Sequence, residues 1–109
     1  MPTTTPVVER MHPGAAAPVT VLDLDDLSRT VRFPRGSRVV VDATAPGEVS
    51  LPSLAAIVRW RRRLRAGGGN LVVAADGAVA AALTRTGLHW VLPHRPTVDD
   101  AVAAVSADV

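Results

Sequence analysis

Two short aliphatic runs, Val39-Val40-Val41 and Leu71-Val72-Val73, stand on either side of a stretch with helical spacing, and this alternation restricts the fold more than any other feature. Apolar, mostly β-branched residues in unbroken succession suit strands covered on both faces. Between them Leu54, Ile57, Val58 and Leu64 recur on one face of a helix. Ser50 or Ser53 caps that helix, which runs to about Ala66, and Gly67-Gly68-Gly69 supplies the left-handed conformation that ends it. A strand, a helix and a strand joined this tightly form a parallel pair with a right-handed crossover.

The pattern continues to the end of the chain. Asn70 to Ala75 reads as a buried strand, and Gly77 to Arg85 as an Ala-rich helix closed by Gly87. Leu88 to Leu92 is expected to form the final strand, stopped by Pro93. Thr97 caps the last helix, with Asp99 and Asp100 in the first turn, where the helix dipole favours acid.

Upstream, Val19 to Leu24 alternates apolar and polar residues and adds a strand beside the first. Asp25 or Asp26 then caps a short helical turn through Val31, although Thr30 to Phe33 reads equally well as a hairpin strand. Pro34-Arg35-Gly36-Ser37 is a turn. Residues 1–18, with four Pro and runs of Thr and Ala, form an expected flexible segment in which Val7 and Val8 offer a short edge strand. Residues 19–109 then make one α/β domain, and 109 residues suffice for one core.

Composition narrows the function. All 12 basic residues are Arg, yet the formal net charge is only +2, which gives little support to nucleic-acid binding. The absence of Cys excludes disulfides, thiolate metal sites and a Cys nucleophile. No apolar run approaches the roughly 20 residues of a membrane helix, and the N-terminus has no secretory pattern, so a cytoplasmic location is expected.

The stretch Val39 to Val105 resembles a STAS domain, the family of the anti-sigma-factor antagonists. The likeness rests on ordered motifs: Val39-Val40-Val41-Asp42, then Leu54-Ala55-Ala56-Ile57 opening an Arg-rich helix that ends in Gly-Gly, then Leu71-Val72-Val73. Val79, Leu83, Thr86-Gly87-Leu88, a strand ending at Pro93 and the closing Thr97-Val98-Asp99-Asp100-Ala101-Val102 follow in the family's order. The resemblance implies a mixed, largely parallel sheet of about four to five strands, with helices packed mainly on one side. It also implies a noncatalytic role with a protein partner, an anti-sigma factor with a kinase-like fold.

Bacterial antagonists of this family carry a phosphorylatable Ser in Asp-Ser-x-Gly at the start of the second helix. Counting from Asp42, that motif falls on Ser50-Leu51-Pro52-Ser53, where Leu51 replaces the phosphoacceptor. The family's switch is therefore missing, and Ser50 and Ser53 remain as candidate substitute phosphoacceptors, although helix capping explains both. Partner-binding residues are expected at Ser50, Leu51, Pro52, Ser53, Arg59, Arg62 and Arg63. A structural subunit of a lipid-transport ATPase assembly is the alternative implied by the same resemblance.

Other constellations have plainer explanations. Arg59, Arg61, Arg62, Arg63 and Arg65 around Trp60 suggest nucleic-acid contact, but a solvated helix face with Trp60 at the core edge accounts for them. Arg59, Arg62 and Arg63 point away from Leu54 and Ile57, whereas the Arg61 stem falls near the apolar face with its head reaching water. His12, His89 and His94 are too scattered for a metal site. Asp23, Asp25 and Asp26, or Asp99 and Asp100, are the carboxylates close enough in sequence to pair, and no catalytic residue, cofactor or metal is expected.

Overall fold

A computed structural model describes residues 18–29, 32–44 and 52–107 in full, and residues 8–10 and 51 as backbone. Five strands lie in chain order across one sheet: β1 (Val8–Arg10), β2 (Val19–Asp23), β3 (Arg38–Ala43), β4 (Asn70–Ala75) and β5 (His94–Arg95). β1 runs antiparallel to β2, and the other neighbours are parallel. Val21 pairs with Val40, and Val40 with Val72, which places the aliphatic runs side by side in the centre of the sheet. Every residue of β4 is buried, as the apolar run Leu71 to Ala75 requires, and the polar Asn70 at its start accepts from the Leu71 amide through its Oδ1.

The helices are α1 (Leu24–Arg29), α2 (Leu51–Ala66), α3 (Gly77–Arg85) and α4 (Val98–Ala107). Because strand order equals chain order from β2 to β5, every crossover advances in the same direction. The right-handed rule then puts the connecting helices on one face. There Leu27 of α1, Leu54, Ile57 and Leu64 of α2, and Val79 and Leu83 of α3 pack on Val39, Val41, Leu71 and Val73. α4 follows the last strand, is free of that constraint, and covers the opposite face with Ala101, Val102 and Val105 against Val19, Val21, Val40 and Val72. The alternation of side chains along each strand produces this division. Burial of each of the largest core residues, Leu54, Ile57, Leu71, Leu83 and Leu92, contributes about 1.5–3 kcal/mol. The α/β class and the largely parallel sheet with most helices on one side match the expectation from sequence.

Several local expectations are corrected. Leu88 to Leu92 is not a strand: Leu88–Trp90 is a 3₁₀ turn, and the last strand is His94–Arg95. Gly87, at φ 77°, turns the chain sharply after α3, and the amides of Trp90 and Leu92 bond to the carbonyls of Gly87 and Leu88. Helical closure lets Leu92 be fully buried and Leu88 partly so, while Trp90 projects outward. Pairing with β4 begins only at Pro93, whose carbonyl accepts from the Val73 amide.

The α1 cap is Asp23 and not Asp25 or Asp26: its Oδ1 accepts from the Asp26 amide at 2.7 Å. Asp25 and Asp26 lie in the first turn instead, and the helix ends at Arg29. Ser53 is inside the first turn of α2 and is not its cap, and the other candidate, Ser50, lies outside the described residues. Phe33 is in a loop and not a hairpin strand. Val8 does lie in an edge strand, as read from the sequence, while Val7 is outside the described residues.

Candidate functional site

α2 is 16 residues long and buries only one stripe of itself. A second stripe, Pro52, Ser53, Ala56, Arg59, Trp60, Arg63 and Gly67, recurs at three- and four-residue intervals along its flank. This stripe forms one wall of two adjoining depressions. The first, of about 380 Å³, lies between Leu24, Leu27 and Ser28 of α1 and Pro52, Ser53, Ala56, Arg59 and Trp60 of α2. The second, of about 160 Å³, lies between the loop Arg32 to Gly36 and Trp60, Arg63, Leu64 and Gly67. Trp60 belongs to both, so the two make one groove along the helix.

The groove owes its shape to local sequence. Pro34-Arg35-Gly36-Ser37 forms the expected turn, closed by the Ser37 amide on the Pro34 carbonyl at 3.2 Å, with Gly36 at φ 78°. At the end of α2, Gly68 adopts φ 86° and the Gly69 amide donates to the Leu64 carbonyl at 2.8 Å while the Gly68 amide donates to that of Arg65. This is a Schellman closure, which satisfies carbonyls the helix would leave open. The Asn70 amide bonds to the Ser37 carbonyl and ties turn and helix end together.

Within the groove Phe33 meets Trp60 edge to face, with ring centroids 5.1 Å apart and planes at 76°. Such pairs contribute about 0.5–1.5 kcal/mol beyond area burial. The Arg63 guanidinium lies over the Trp60 ring at 5.4 Å. Arg32, Arg35, Arg59, Arg62 and Arg63 are exposed and form no ion pair with a described carboxylate. Acid collects elsewhere: Asp23 ends β2, Asp42 is the last residue but one of β3, and Asp25 and Asp26 sit at the start of α1. Arg29 of α1 lies 4.0 Å from Asp26. The groove is therefore lined by Arg59 at its start and by Arg32, Arg35 and Arg63 towards the end of α2, with no described carboxylate in its walls.

Of the residues expected to bind a partner, Pro52, Ser53 and Arg59 come together at the first depression, and Arg63 lines the second. Arg62 is exposed and lines neither. Leu51 takes a helical backbone at the start of α2, and Ser50 lies outside the described residues. Arg61 behaves as its position requires, with its stem inward, while its head donates to the Val91 carbonyl at 3.2 Å.

Asp42, Thr97 and His89 make contacts close to the backbone. Asp42 Oδ1 accepts from the amide and hydroxyl of Thr44, and Thr97 caps α4 through the Asp100 amide as expected. His89 Nδ1 lies 3.3 Å from the Leu83 carbonyl, and no three acidic, His or Cys groups converge on a metal position among the described residues. His12 lies outside them.

Sequence reasoning placed Trp60 at the core edge, where it is, but missed Phe33 and the α1 residues Leu24 and Leu27 as walls of the groove. The available signal was an aromatic immediately before a Pro-Arg-Gly turn, in a chain with only three aromatic residues. The exposed Trp90, 83% accessible, was also missed because its run looked like a strand. Comparison with protein-family models, curated proteins and solved structures finds no match.

Proposed function

We propose that this chain is a noncatalytic protein-binding module, an anti-sigma-factor-antagonist-like regulator of the STAS kind that lacks the phosphorylatable Ser. The observation that carries the reading is the cleft between α1 and the first two turns of α2. It opens at Pro52 and Ser53, the positions where the resemblance puts the family's partner-binding loop. Its walls are mostly apolar side chains, Leu24, Leu27, Ala56 and Trp60, the composition expected of a docking surface. The strand order from β2 to β5 contains no reversal, so the sheet has no switch-point crevice of the kind nucleotide enzymes use. Asp23, Asp42 and Thr97 are committed to backbone amides, which supports a structural role for them.

The partner is an anti-sigma factor with a kinase-like fold, and the chain acts without being switched by phosphate. The test is affinity capture from the source cell with wild-type protein and Ala56→Arg in parallel. Ala56 is half-buried on the cleft wall, and an Arg there fills the cleft without entering the core. Capture of a kinase-fold anti-sigma factor by the wild type alone, with no phosphate on Ser50 or Ser53 by mass spectrometry, is the expected result. Recovery of transporter ATPase subunits would replace this reading with the lipid-transport alternative.

A further inference from the structure

We propose that the groove along α2 receives an acidic amphipathic helix of the partner, which seats one large apolar side chain in the pocket lined by Phe33, Pro34, Trp60 and Leu64 and lays carboxylates on Arg32, Arg35 and Arg63. This inference rests on the reading of α2 as the docking element and adds the chemistry of what docks. Charge complementarity carries it. The second depression has an apolar floor of Phe33, Pro34, Trp60 and Leu64, and its rim holds the three guanidiniums, none paired to a described carboxylate. At about 160 Å³ it matches the size of a cavity of about 150 Å³ known to admit a benzene ring. One Phe or Leu side chain therefore fills it.

Spacing selects a helix as the occupant. Ala56, on the first depression, and Arg63, on the second, are separated by two helical turns, about 10.5 Å along α2. A helix laid alongside repeats its own face at that interval, so apolar residues at i and i+7 fall into the two depressions while i+3 or i+4 crosses Trp60. Polarity is also set. The first depression is lined by a single charged residue, Arg59, whereas Arg32, Arg35 and Arg63 concentrate positive charge around the second and favour acid at that end. The docked helix is thus apolar near α1 and acidic over the Arg32 to Gly36 loop.

A nucleic acid suits the same surface less well. Base stacking requires an open ring face. Arg63 lies over the Trp60 ring and Phe33 packs on it edge-on, so Trp60 is engaged within the fold.

The experiment uses the full chain carrying Trp90→Phe, which leaves Trp60 as the sole tryptophan. Its fluorescence is followed during titration with a synthetic helical peptide bearing Leu at i and i+4, Phe at i+7 and four Glu flanking the Phe. The same peptide with Lys for Glu, and a 20-nucleotide oligothymidylate, are titrated in parallel. The expected result is saturable binding of the Glu peptide alone, weakened at least tenfold by Arg63→Glu and by Arg35→Glu, the exposed Arg35→Glu leaving the Tm unchanged.

Absence of a Trp60 response at 500 μM Glu peptide, equal binding of the Lys peptide, or tighter binding of the oligonucleotide would overturn the proposal. Capture of the natural partner separates the two levels. Loss of capture with Ala56→Arg but not with Arg35→Glu or Arg63→Glu would sink the acidic-helix proposal and leave α2 as the docking element. Capture insensitive to all three would sink the docking reading itself.

Discussion

Gly69 sits so close to Ser37 that a β-carbon on it would overlap the Ser37 backbone carbonyl oxygen and crowd the Ser37 amide at 3.0 Å. The contact joins the end of α2 to the turn before β3, the two walls of the Phe33–Trp60 pocket. Both neighbours are backbone and cannot rotate away, so the chain itself must shift to admit a methyl group.

The three consecutive glycines therefore respond differently to alanine. Gly69→Ala is expected to cost about 1–3 kcal/mol through overpacking, and to loosen the pocket as well. Gly68→Ala, at φ 86° in open space, costs about 1–2 kcal/mol of left-handed strain. Gly67→Ala meets only ordinary contacts, the nearest 3.6 Å away, and is expected to be within about 0.5 kcal/mol of wild type. Urea unfolding of the three variants checks the order, and equal costs would show that the Ser37 contact is unimportant.

Arg38 supplies a second link across the sheet. Its guanidinium donates to the Val105 carbonyl at 2.6 Å, in the last turn of α4, where carbonyls lack helical partners. A cation there also complements the helix dipole. Arg38→Met retains the stem and removes the donor, and is expected to cost about 1–2 kcal/mol, since water replaces part of a bond from a charged donor. Faster amide exchange in α4 than in α2 would accompany the loss. Arg62→Met, on an exposed position of α2, serves as the neutral control.

How much of this was legible in the sequence follows from how local each determinant is. Val39 to Val41 and Leu71 to Val73 lie in strands because their aliphatic, mostly β-branched runs tolerate burial on both faces. Gly67 to Gly69 ends α2 because glycine alone enters the left-handed region freely. Both facts lie within a few residues of chain. The Leu88 to Leu92 run reads as a strand and is not one, because a short apolar segment carries no period that separates strand from helical turn. Only burial of Leu92 beneath α3 and the outward placement of Trp90 decide it, and these depend on the sheet edge. The groove was half-visible: its α2 wall follows from helical periodicity. Its other wall, Leu24, Leu27 and Phe33, is brought there by the crossover from β2 to β3, which no local pattern encodes.

The cap of α1 shows how a boundary displaced by two residues changes which carboxylate carries the helix. Asp25 and Asp26 have the right chemistry for capping, but the strand register places Asp23 opposite Asp42 at the sheet end, and the chain turns into helix directly after it. Asp23 then accepts from the Asp26 amide and starts a helix of only six residues. A helix this short has little stability of its own and depends on its cap and on Leu27. Asp23→Ala is expected to cost about 1 kcal/mol, the usual worth of an N-cap. For a domain of this size that lowers Tm by about 4–8 °C. Asp25→Ala removes an exposed carboxylate from the first turn and is expected to lower Tm by less than half as much. Because Leu24 and Leu27 wall the first depression, Asp23→Ala is also expected to weaken the docking proposed there, whereas Asp25→Ala is expected to leave it intact. Thermal melts and partner titrations of the two variants give the comparison, and equal effects would return the capping role to the first turn.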